Sequence, residues 1–391
     1  MWYRQRPWKL QVCSDTAAIL REAAQRAHLP ASLFLYLDCW FNQVHSAAGD
    51  ADQDQNDAQT RGHSKALRIA VFGAGCIGSM MTWHLVRDGG HEVTVVARGA
   101  RLVQLQTDHA ILDKLQNRAE ITVSAALDLS VPYDLLLVPV KGNQVAEALH
   151  TVQGSAAHTI MFMSVTFRSL ASMRDAVGAA RFAYGFPKFP AVMKNGILED
   201  TKISSFTPVI VTEPRWAKLF KDAHIPCGLT HDMDSYLRAH VAAATPLLTL
   251  CVMTHKRGAG ITCAEATFHA KVSTLKPWVH LNSSICLHGM VPHLCLQSHH
   301  HLHNSCMQAQ AEGFAIVRQL GHKIPNAGLN WMSHTPLRFN SSVFWLMSRM
   351  LPSSFQELLS TSNKEAADNI DEMSNAAPGK TAALLTIRPV T

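Results

Sequence analysis

The sequence lacks several features that would assign it to particular classes of protein. Its nine cysteines include no C-x-x-C pair, so the disulfide framework of a secreted protein is not indicated. No run of Lys and Arg with interleaved aromatic residues accompanies the formal charge of +6, so a nucleic-acid-binding face is not indicated either. The N-terminus, MWYRQRPWKLQV, lacks the apolar core of a signal peptide, and Val241 to Met253 is too short to span a bilayer. These absences favour a soluble protein of the cytoplasm, with no membrane and no nucleic acid among its partners.

The composition that is present suits a globular protein of two domains. With 391 residues, of which 47% are hydrophobic and 16% charged, the chain is long enough to bury two full cores. Residues 1–66 come before the first strong strand signal. Within them, Gly49 to Ser64 is polar and almost without aliphatic residues, as is typical of a disordered linker. We therefore expect residues 1–66 to form a peripheral, partly disordered extension.

The strongest signal lies in residues 67–98, where a strand, a glycine-rich turn, a helix and a second strand follow one another. The apolar run Ile69 to Phe72 leads into GAGCIG at residues 73–78, which fits the G-x-G-x-x-G fingerprint. In that fingerprint the first glycine permits a tight turn, the second lets a pyrophosphate approach, and the third lets helix and strand pack closely. We predict that the pyrophosphate of a dinucleotide lies on the N-terminus of the helix. The predicted contacts are Gly73, Gly75, Cys76, Ile77 and Gly78. A glycine-rich turn that has lost its ligand is the alternative.

Strand and helix signals continue to alternate up to about residue 229. Leu135 to Val140 is a near-continuous apolar run, which is typical of a buried parallel strand, and Gly196 to Thr212 favours a closing hairpin. This alternation predicts an α/β fold in which residues 67–229 form a Rossmann domain with a doubly wound parallel sheet. Helical signals then dominate, beginning with Asp232 to Thr254. Residues 230–391 are therefore predicted to form an all-α substrate domain.

Two cations follow predicted strands of the Rossmann domain. Arg98 stands at the end of the second strand, where an NAD site has an acidic residue for the ribose hydroxyls, and Arg101 follows one turn later. A guanidinium binds a 2′-phosphate with two hydrogen bonds, whereas a carboxylate repels it, so we predict NADP as the cofactor. The alternative is that Arg98 is a solvated surface charge. Lys141 directly follows a buried strand at its carboxyl end, where α/β sheets bind ligands.

The stretch from Lys271 to Cys306 does not fit a helical domain, because its periodicity is weak and its content of His and Cys is high. One interpretation is a metal site, although the spacings match no common zinc pattern. The favoured interpretation is an irregular insertion without a selected role, or untranslated gene sequence retained in the translation. No metal is therefore predicted. Candidate ligands in the first interpretation are Cys286, His288, His293, Cys295, His299 and Cys306.

The motifs RIAVFGAGCIGSMMTWHLVRDGGHEVTVVARGARL and YDLLLVPVKGNQVAEAL, together with the helical second half, resemble those of the ketopantoate reductase (2-dehydropantoate 2-reductase) family. The resemblance covers roughly residues 67–265 and, more thinly, 308–390, and it is closest to divergent members. It implies an NADPH-dependent oxidoreductase that reduces 2-dehydropantoate to pantoate in pantothenate biosynthesis. It also implies that Lys141 bonds the cofactor near the nicotinamide ribose. A small 2-keto acid is the implied substrate, and a homodimer is compatible with the resemblance.

The catalytic positions of that family are altered in this chain. The family lysine on the first helix of the C-terminal domain falls at Leu237 or Arg238, and the family asparagine is absent. Because arginine does not release a proton near neutral pH, we predict His240 as proton donor and Arg238 as partner of the carboxylate or oxyanion. A surface pair of Asp234 with Arg238 and a core histidine are the alternatives.

Two weaker substrate contacts complete the prediction. Thr166 stands close to the position where the family has an Asn-Gly pair, and Glu372 resembles the acidic substrate contact of the family. The leading hypothesis is thus an NADPH-dependent reductase of a 2-keto acid or related carbonyl. The alternative is a non-catalytic, redox-responsive NADP-binding protein with a degraded substrate site, and a third hypothesis is a product damaged by the 271–306 segment.

Overall fold

The computed structural model describes residues 66–205, 207–256, 293–325, 327–334 and 363–389. All of them belong to one compact unit. The predicted extension at residues 1–66 lies outside the described residues apart from its last residue, as do residues 271–292. The strands of the described chain are β1 Arg68–Phe72, β2 Glu92–Val96, β3 Ala110–Asp113, β4 Arg118–Glu120, β5 Thr122–Ser124, β6 Leu135–Val138, β7 Ile160–Phe162, β8 Phe182–Pro187, β9 Met193–Lys194, β10 Ile197–Leu198, β11 Val209–Val211 and β12 Cys227–Leu229.

The helices of the described chain alternate with the strands in the first half and follow one another in the second. They are α1 Cys76–Arg87, α2 Gly99–Asp108, α3 Val145–Val152, α4 Ala171–Val177, α5 Pro214–Asp222, α6 Met233–Lys256, α7 His293–Gln319, α8 Ala327–Met332, α9 Asn363–Ala376 and α10 Ala382–Thr386. A single 3-10 turn, Gly142–Gln144, precedes α3. None of the described helices is long and apolar enough to cross a membrane.

Eight of these strands form the main sheet, in the order β12-β11-β8-β7-β6-β1-β2-β5. The run from β5 to β8 is parallel throughout and has the strand order 3-2-1-4-5-6 of a doubly wound Rossmann sheet. Strand β11 pairs antiparallel with β8 and parallel with β12. The predicted fold class is thereby confirmed. The chain reverses direction across the sheet between β1 and β6, and this point is where such sheets bind ligands.

The apolar runs of the sequence explain the central strands. All four residues of β6, LLLV, are buried, because a parallel strand covered on both faces has no solvated side. One hydrophobic cluster, which includes Ile69 and Leu135, contains α1 and α5 residues and covers one face. A second cluster, which includes Leu136 and Phe162, lies on the other face and contains Tyr236 of α6. The first long helix of the second half is thus packed directly on the sheet.

Two local predictions are wrong. The predicted hairpin over Gly196 to Thr212 is replaced by a smaller hairpin of β9 and β10, which joins β3 and β4 in a four-stranded sheet. Strand β11, which lies within the same stretch of sequence, belongs to the main sheet instead. The irregular segment predicted to reach Cys306 is helical from His293 onward, as part of α7, and Cys306 is buried in the helical core.

Candidate active site

The glycine-rich turn connects β1 to α1 at the centre of the main sheet. Gly73 has φ of +127°, a conformation that residues with a Cβ rarely adopt, and its N–H donates to the Val96 carbonyl at 3.1 Å. A Cβ on Gly78 would lie 2.0 Å from the carbonyl oxygen of Gly73. Because no side chain fits in that gap, the helix packs on the turn at backbone distance.

The N-terminus of α1 is open on the side that faces away from this packing. Gly75 is exposed, and a Cβ added to it would meet nothing within 4 Å. In the described part of the chain no side chain caps this helix, and its first turn contains no acidic residue. The backbone N–H groups of Cys76 and Ile77, both half-buried, therefore begin a helix whose positive end is free to attract an anion. These residues fit the pyrophosphate of a dinucleotide.

Arg98 lies at the carboxyl end of β2 and forms the N-cap of α2. Its Nη1 donates to Oε1 of Glu147 on α3 at 2.8 Å, and the two side chains are 76% and 69% exposed. The sequence places no acidic residue beside Arg98, but the fold brings Glu147 to it from the next helix of the sheet. An ion pair this exposed is worth less than about 1 kcal/mol, so a phosphate could displace the glutamate.

Arg101 is held within the protein and does not share the exposed position of Arg98. Its Nη1 donates to the Gly196 carbonyl at 2.8 Å, and its Nη2 donates to the Ser79 hydroxyl at 3.1 Å. Burial lowers the pKa of Arg101, with opposing contributions from Asp108 and Cys76. Arg101 therefore ties α1 and α2 to the β9–β10 hairpin.

Lys141 is exposed and lies in the loop after β6. This loop and the glycine turn after β1 lie on opposite sides of the crevice at the point where the strand order reverses. This loop also touches the next one along the sheet, because a Cβ on Gly142 would lie 2.4 Å from the Val165 carbonyl oxygen. Burial raises the pKa of Glu365 on α9, and the positive charge of Lys141 partly offsets this rise. Asn143, two residues further on, donates from Nδ2 to Asp368 at 2.9 Å. The loop after β6 is thus bridged to a helix from the far end of the chain.

Thr166 and Glu372, the two predicted substrate contacts, are hydrogen-bonded to each other. The Thr166 hydroxyl donates to Oε2 of Glu372 at 3.0 Å, and the Phe167 N–H donates to the same oxygen at 2.7 Å. The guanidinium Nε of Arg168 lies 2.9 Å from Oε1, and the Glu372 side chain is only 8% exposed. The carboxylate is therefore satisfied within the protein, where it fastens α9 to the loop after β7.

Arg238 on α6 is buried and paired. Its Nη1 donates to Oδ1 of Asp234 at 2.8 Å, one turn earlier, and its guanidinium lies 5.8 Å from the centroid of the Phe167 ring. The same Asp234 oxygen accepts the Leu170 N–H at 3.2 Å. The i, i+4 pair considered from the sequence is formed, but it is a buried one that links α6 to the loop after β7.

His240, also on α6, lies edge-on to Phe186 of β8 with 4.6 Å between ring centroids, and Tyr236 packs on the same ring at 6.0 Å. Burial and the ammonium of Lys188 lower the pKa of His240 to about 4, so the imidazole is neutral at pH 7. Residues two apart on a helix are separated by about 200°. Arg238 and His240 consequently point to opposite sides of α6, and the fold does not bring them together.

Lys188 is a further cation at the edge of the sheet that the sequence predictions above do not include. This lysine directly follows β8, and Lys141 comes three residues after the end of β6, so both lie at the carboxyl edge of the sheet. The sequence pattern that identifies Lys188 is a lysine directly after an apolar strand. No sequence pattern identifies Glu147, because it approaches Arg98 only in the folded protein.

The strand order, the glycine turn and the open end of α1 together define a Rossmann domain. Residues 69–202 match the family model described as ketopantoate reductase PanE/ApbA. The resemblance seen in the sequence is thereby confirmed for residues 69–202, which are similar to the domain that this model describes. A comparison with curated proteins gave no match.

Solved structures share the fold at low identity. A ketopantoate reductase from Ralstonia solanacearum MolK2, described by its authors as a candidate for that activity, is 16% identical with a TM-score of 0.56, over 83% of this chain and 96% of its own. A D-mandelate dehydrogenase with NADH and anilino(oxo)acetate is 14% identical with a TM-score of 0.56, over 82% and 96%. A dimeric ketopantoate reductase from Staphylococcus aureus is 10% identical with a TM-score of 0.53, over 82% and 96%. The described residues contain no group of three or more His, Cys, Asp or Glu side chains placed to hold a metal ion.

Proposed function

We propose that this protein is an NADPH-dependent reductase that converts the carbonyl of 2-dehydropantoate, or of a related small 2-keto acid, to an alcohol. The observation that carries the proposal is the open N-terminus of α1 at the point where the strand order reverses. Gly75 leaves space there for a ligand, while Gly73 and Gly78 fix the shape of the turn. The family match of residues 69–202 supports the same class of reaction.

Each part of the proposed cofactor site has its own residues. The N–H groups of the glycine turn, including those of Cys76 and Ile77, would bind the pyrophosphate. Arg98 would exchange its exposed contact with Glu147 for the 2′-phosphate of NADPH. Lys141 would bond the ribose next to the nicotinamide. The cofactor, when bound, supplies a hydride equivalent to the carbonyl carbon of the substrate.

The chain must then stabilise the negative charge that develops on the carbonyl oxygen and deliver a proton to it. Arg238 is engaged by Asp234 and does not release a proton near neutral pH, so it is a positioning residue in this proposal. His240 is neutral at pH 7, because burial and Lys188 lower its pKa to about 4. Its single ring N–H can therefore donate a hydrogen bond to the substrate but does not supply the proton, which would reach the carbonyl oxygen from solvent.

The test of the cofactor assignment is a fluorescence titration of the full chain with NADPH and with NADH. Arg98→Ala should weaken NADPH binding about tenfold, since one charge-assisted contact is worth roughly 1.5–3 kcal/mol and its exposure reduces this value. NADH binding should not change. Arg215→Ala is the matched control, because Arg215 is an exposed arginine on α5 that pairs with Glu213. Equal affinity of the wild-type protein for both cofactors would contradict the choice of NADPH.

A non-catalytic NADP-binding protein is the second candidate. The observation in its favour is that Thr166, Glu372 and Arg238 are all engaged in internal contacts and leave few groups for a substrate. Loss of nicotinamide absorbance with ketopantoate or any of a panel of 2-keto acids would favour the reductase. NADPH binding without turnover on every member of the panel would favour the second candidate.

We further propose a homodimer in the cytoplasm. The dimeric state of a ketopantoate reductase with the same fold supports the first part. The free thiols of Cys76 and Cys227 support a reducing compartment. Light scattering of the purified full chain would test the dimer, and a mass of about one chain at micromolar concentration would contradict it.

A further inference from the structure

Lys188 is a half-buried cation without a counterion among the described residues. Its backbone N–H donates to the Pro208 carbonyl at 3.2 Å, which fixes the residue at the carboxyl end of β8. Its ammonium makes no ion pair with any acidic side chain in the described part of the chain. Burial alone lowers the pKa of Lys188, with no carboxylate to oppose the change.

A half-buried ammonium without a counterion lowers the stability of a folded protein. Moving an ammonium away from water is unfavourable unless an anion or hydrogen-bond acceptors replace the solvent. The described residues that form α6 and β8 do not provide such an anion near Lys188. An anionic ligand would provide it, and the free energy otherwise lost to desolvation would then contribute to binding.

His240 lies beside Lys188 and is held in place by aromatic contacts. His240 contacts the ring of Phe186, which lies two residues before Lys188 at the same end of β8, and the ammonium of Lys188 contributes to the lowered pKa of His240. The edge-on contact with Phe186, at 4.6 Å between centroids, sets the plane of the imidazole. The imidazole has no hydrogen-bond partner within the described ranges, and it is neutral at pH 7. One ring N–H is therefore available to an acceptor without adding a second positive charge.

We propose that Lys188 and His240 form an anion subsite, between the carboxyl end of β8 and α6, which takes the carboxylate of the substrate. Lys188 supplies the charge and His240 supplies a directed hydrogen bond. The subsite rests on the proposed reductase function and assigns the recognition of the carboxylate next to the carbonyl group to these two residues. Simple ketones and aldehydes lack the group that this pair recognises.

The experiment uses oxamate, an unreactive analogue of a 2-keto acid, and calorimetric titration of the full chain with and without saturating NADPH. Lys188→Met should weaken oxamate binding at least tenfold and leave NADPH affinity unchanged, whereas Lys188→Arg should retain part of the affinity. Lys194→Met is the matched control, because Lys194 is an exposed lysine on β9, six residues along the chain. Oxamide, the neutral analogue, should bind wild type and Lys188→Met equally weakly.

The outcomes separate this subsite from the proposed function. Oxamate binding that Lys188→Met leaves at the wild-type level, or no oxamate binding by the wild-type protein, would overturn the subsite. A parallel loss of NADPH and oxamate affinity would assign Lys188 to the cofactor instead and would also overturn it. If the wild-type protein fails to bind NADPH but binds oxamate through Lys188, the subsite stands and the reductase proposal fails. Unchanged thermal unfolding of each variant shows that the comparison is made on folded protein.

Discussion

Alanine at Gly75 and alanine at Gly78 should have opposite consequences, although the two positions are three residues apart in one turn. A Cβ at position 75 meets nothing within 4 Å, so Gly75→Ala should change the free energy of unfolding by less than about 1 kcal/mol. The same Cβ would occupy the space proposed for the pyrophosphate. We expect NADPH affinity to fall at least tenfold.

At Gly78 the structure places the added Cβ 2.0 Å from the Gly73 carbonyl oxygen and 3.1 Å from Cγ of Pro139. A backbone oxygen cannot turn aside as a flexible side chain can, so α1 must move away from β1. Forced overpacking of this kind costs about 3 kcal/mol or more. At about 2–4 °C per kcal/mol for domains of this size, Gly78→Ala should lower Tm by roughly 6–12 °C.

The assay pairs thermal unfolding with fluorescence titration of NADPH for wild type and both variants. Two results would refute the reasoning. If Gly75→Ala binds NADPH as wild type does, no ligand approaches that position. If Gly78→Ala unfolds at the wild-type temperature, helix and turn are not in contact at backbone distance.

Two further predictions concern α9. Glu372→Ala leaves the Phe167 N–H and the buried Thr166 hydroxyl without their acceptor, which should cost about 1–3 kcal/mol of unfolding free energy in a denaturant titration. Asp371→Ala, which removes the exposed pair with Arg388, should have a clearly smaller effect. Equal effects of the two variants would refute the buried contact. Glu365→Gln should raise Tm at pH 7, because burial raises the pKa of Glu365 above its ordinary 4.5 and the wild-type protein loses stability as the pH rises through that pKa. The gain should vanish below pH 4.5, where the carboxyl group is protonated in both states, and a gain that persists there would contradict the assignment.

The Rossmann half of the fold is predictable because its signals are local. The glycine turn, the apolar run of β6 and the lysine after it are each contained within a few residues. Strands β4 and β12 have three residues each and lie at the edges of their sheets, so they bury too little to show an apolar pattern. The central strands could therefore be predicted from their buried apolar runs, whereas these two edge strands could not.

The candidate site is less predictable, because its contacts join residues far apart in the chain. Arg98 meets Glu147 from 49 positions away, and Thr166 meets Glu372 from 206 positions away. No sequence spacing encodes such pairs. The separation of Arg238 from His240, in contrast, follows from the 100° step of a helix and was available from the sequence alone.

The contacts made by α9 have a consequence for the order in which the protein becomes functional during synthesis. Glu365, Asp368 and Glu372 lie on one face of this helix and reach the loops after β6 and β7. The last strand of the sheet ends at Leu229 and α9 begins at Asn363, so the Rossmann sheet can fold before α9 leaves the ribosome. The contacts of α9 with those loops form only afterwards. A nascent chain that lacks α9 would thus have a complete glycine turn, while the loops after β6 and β7 would lack their contacts with this helix.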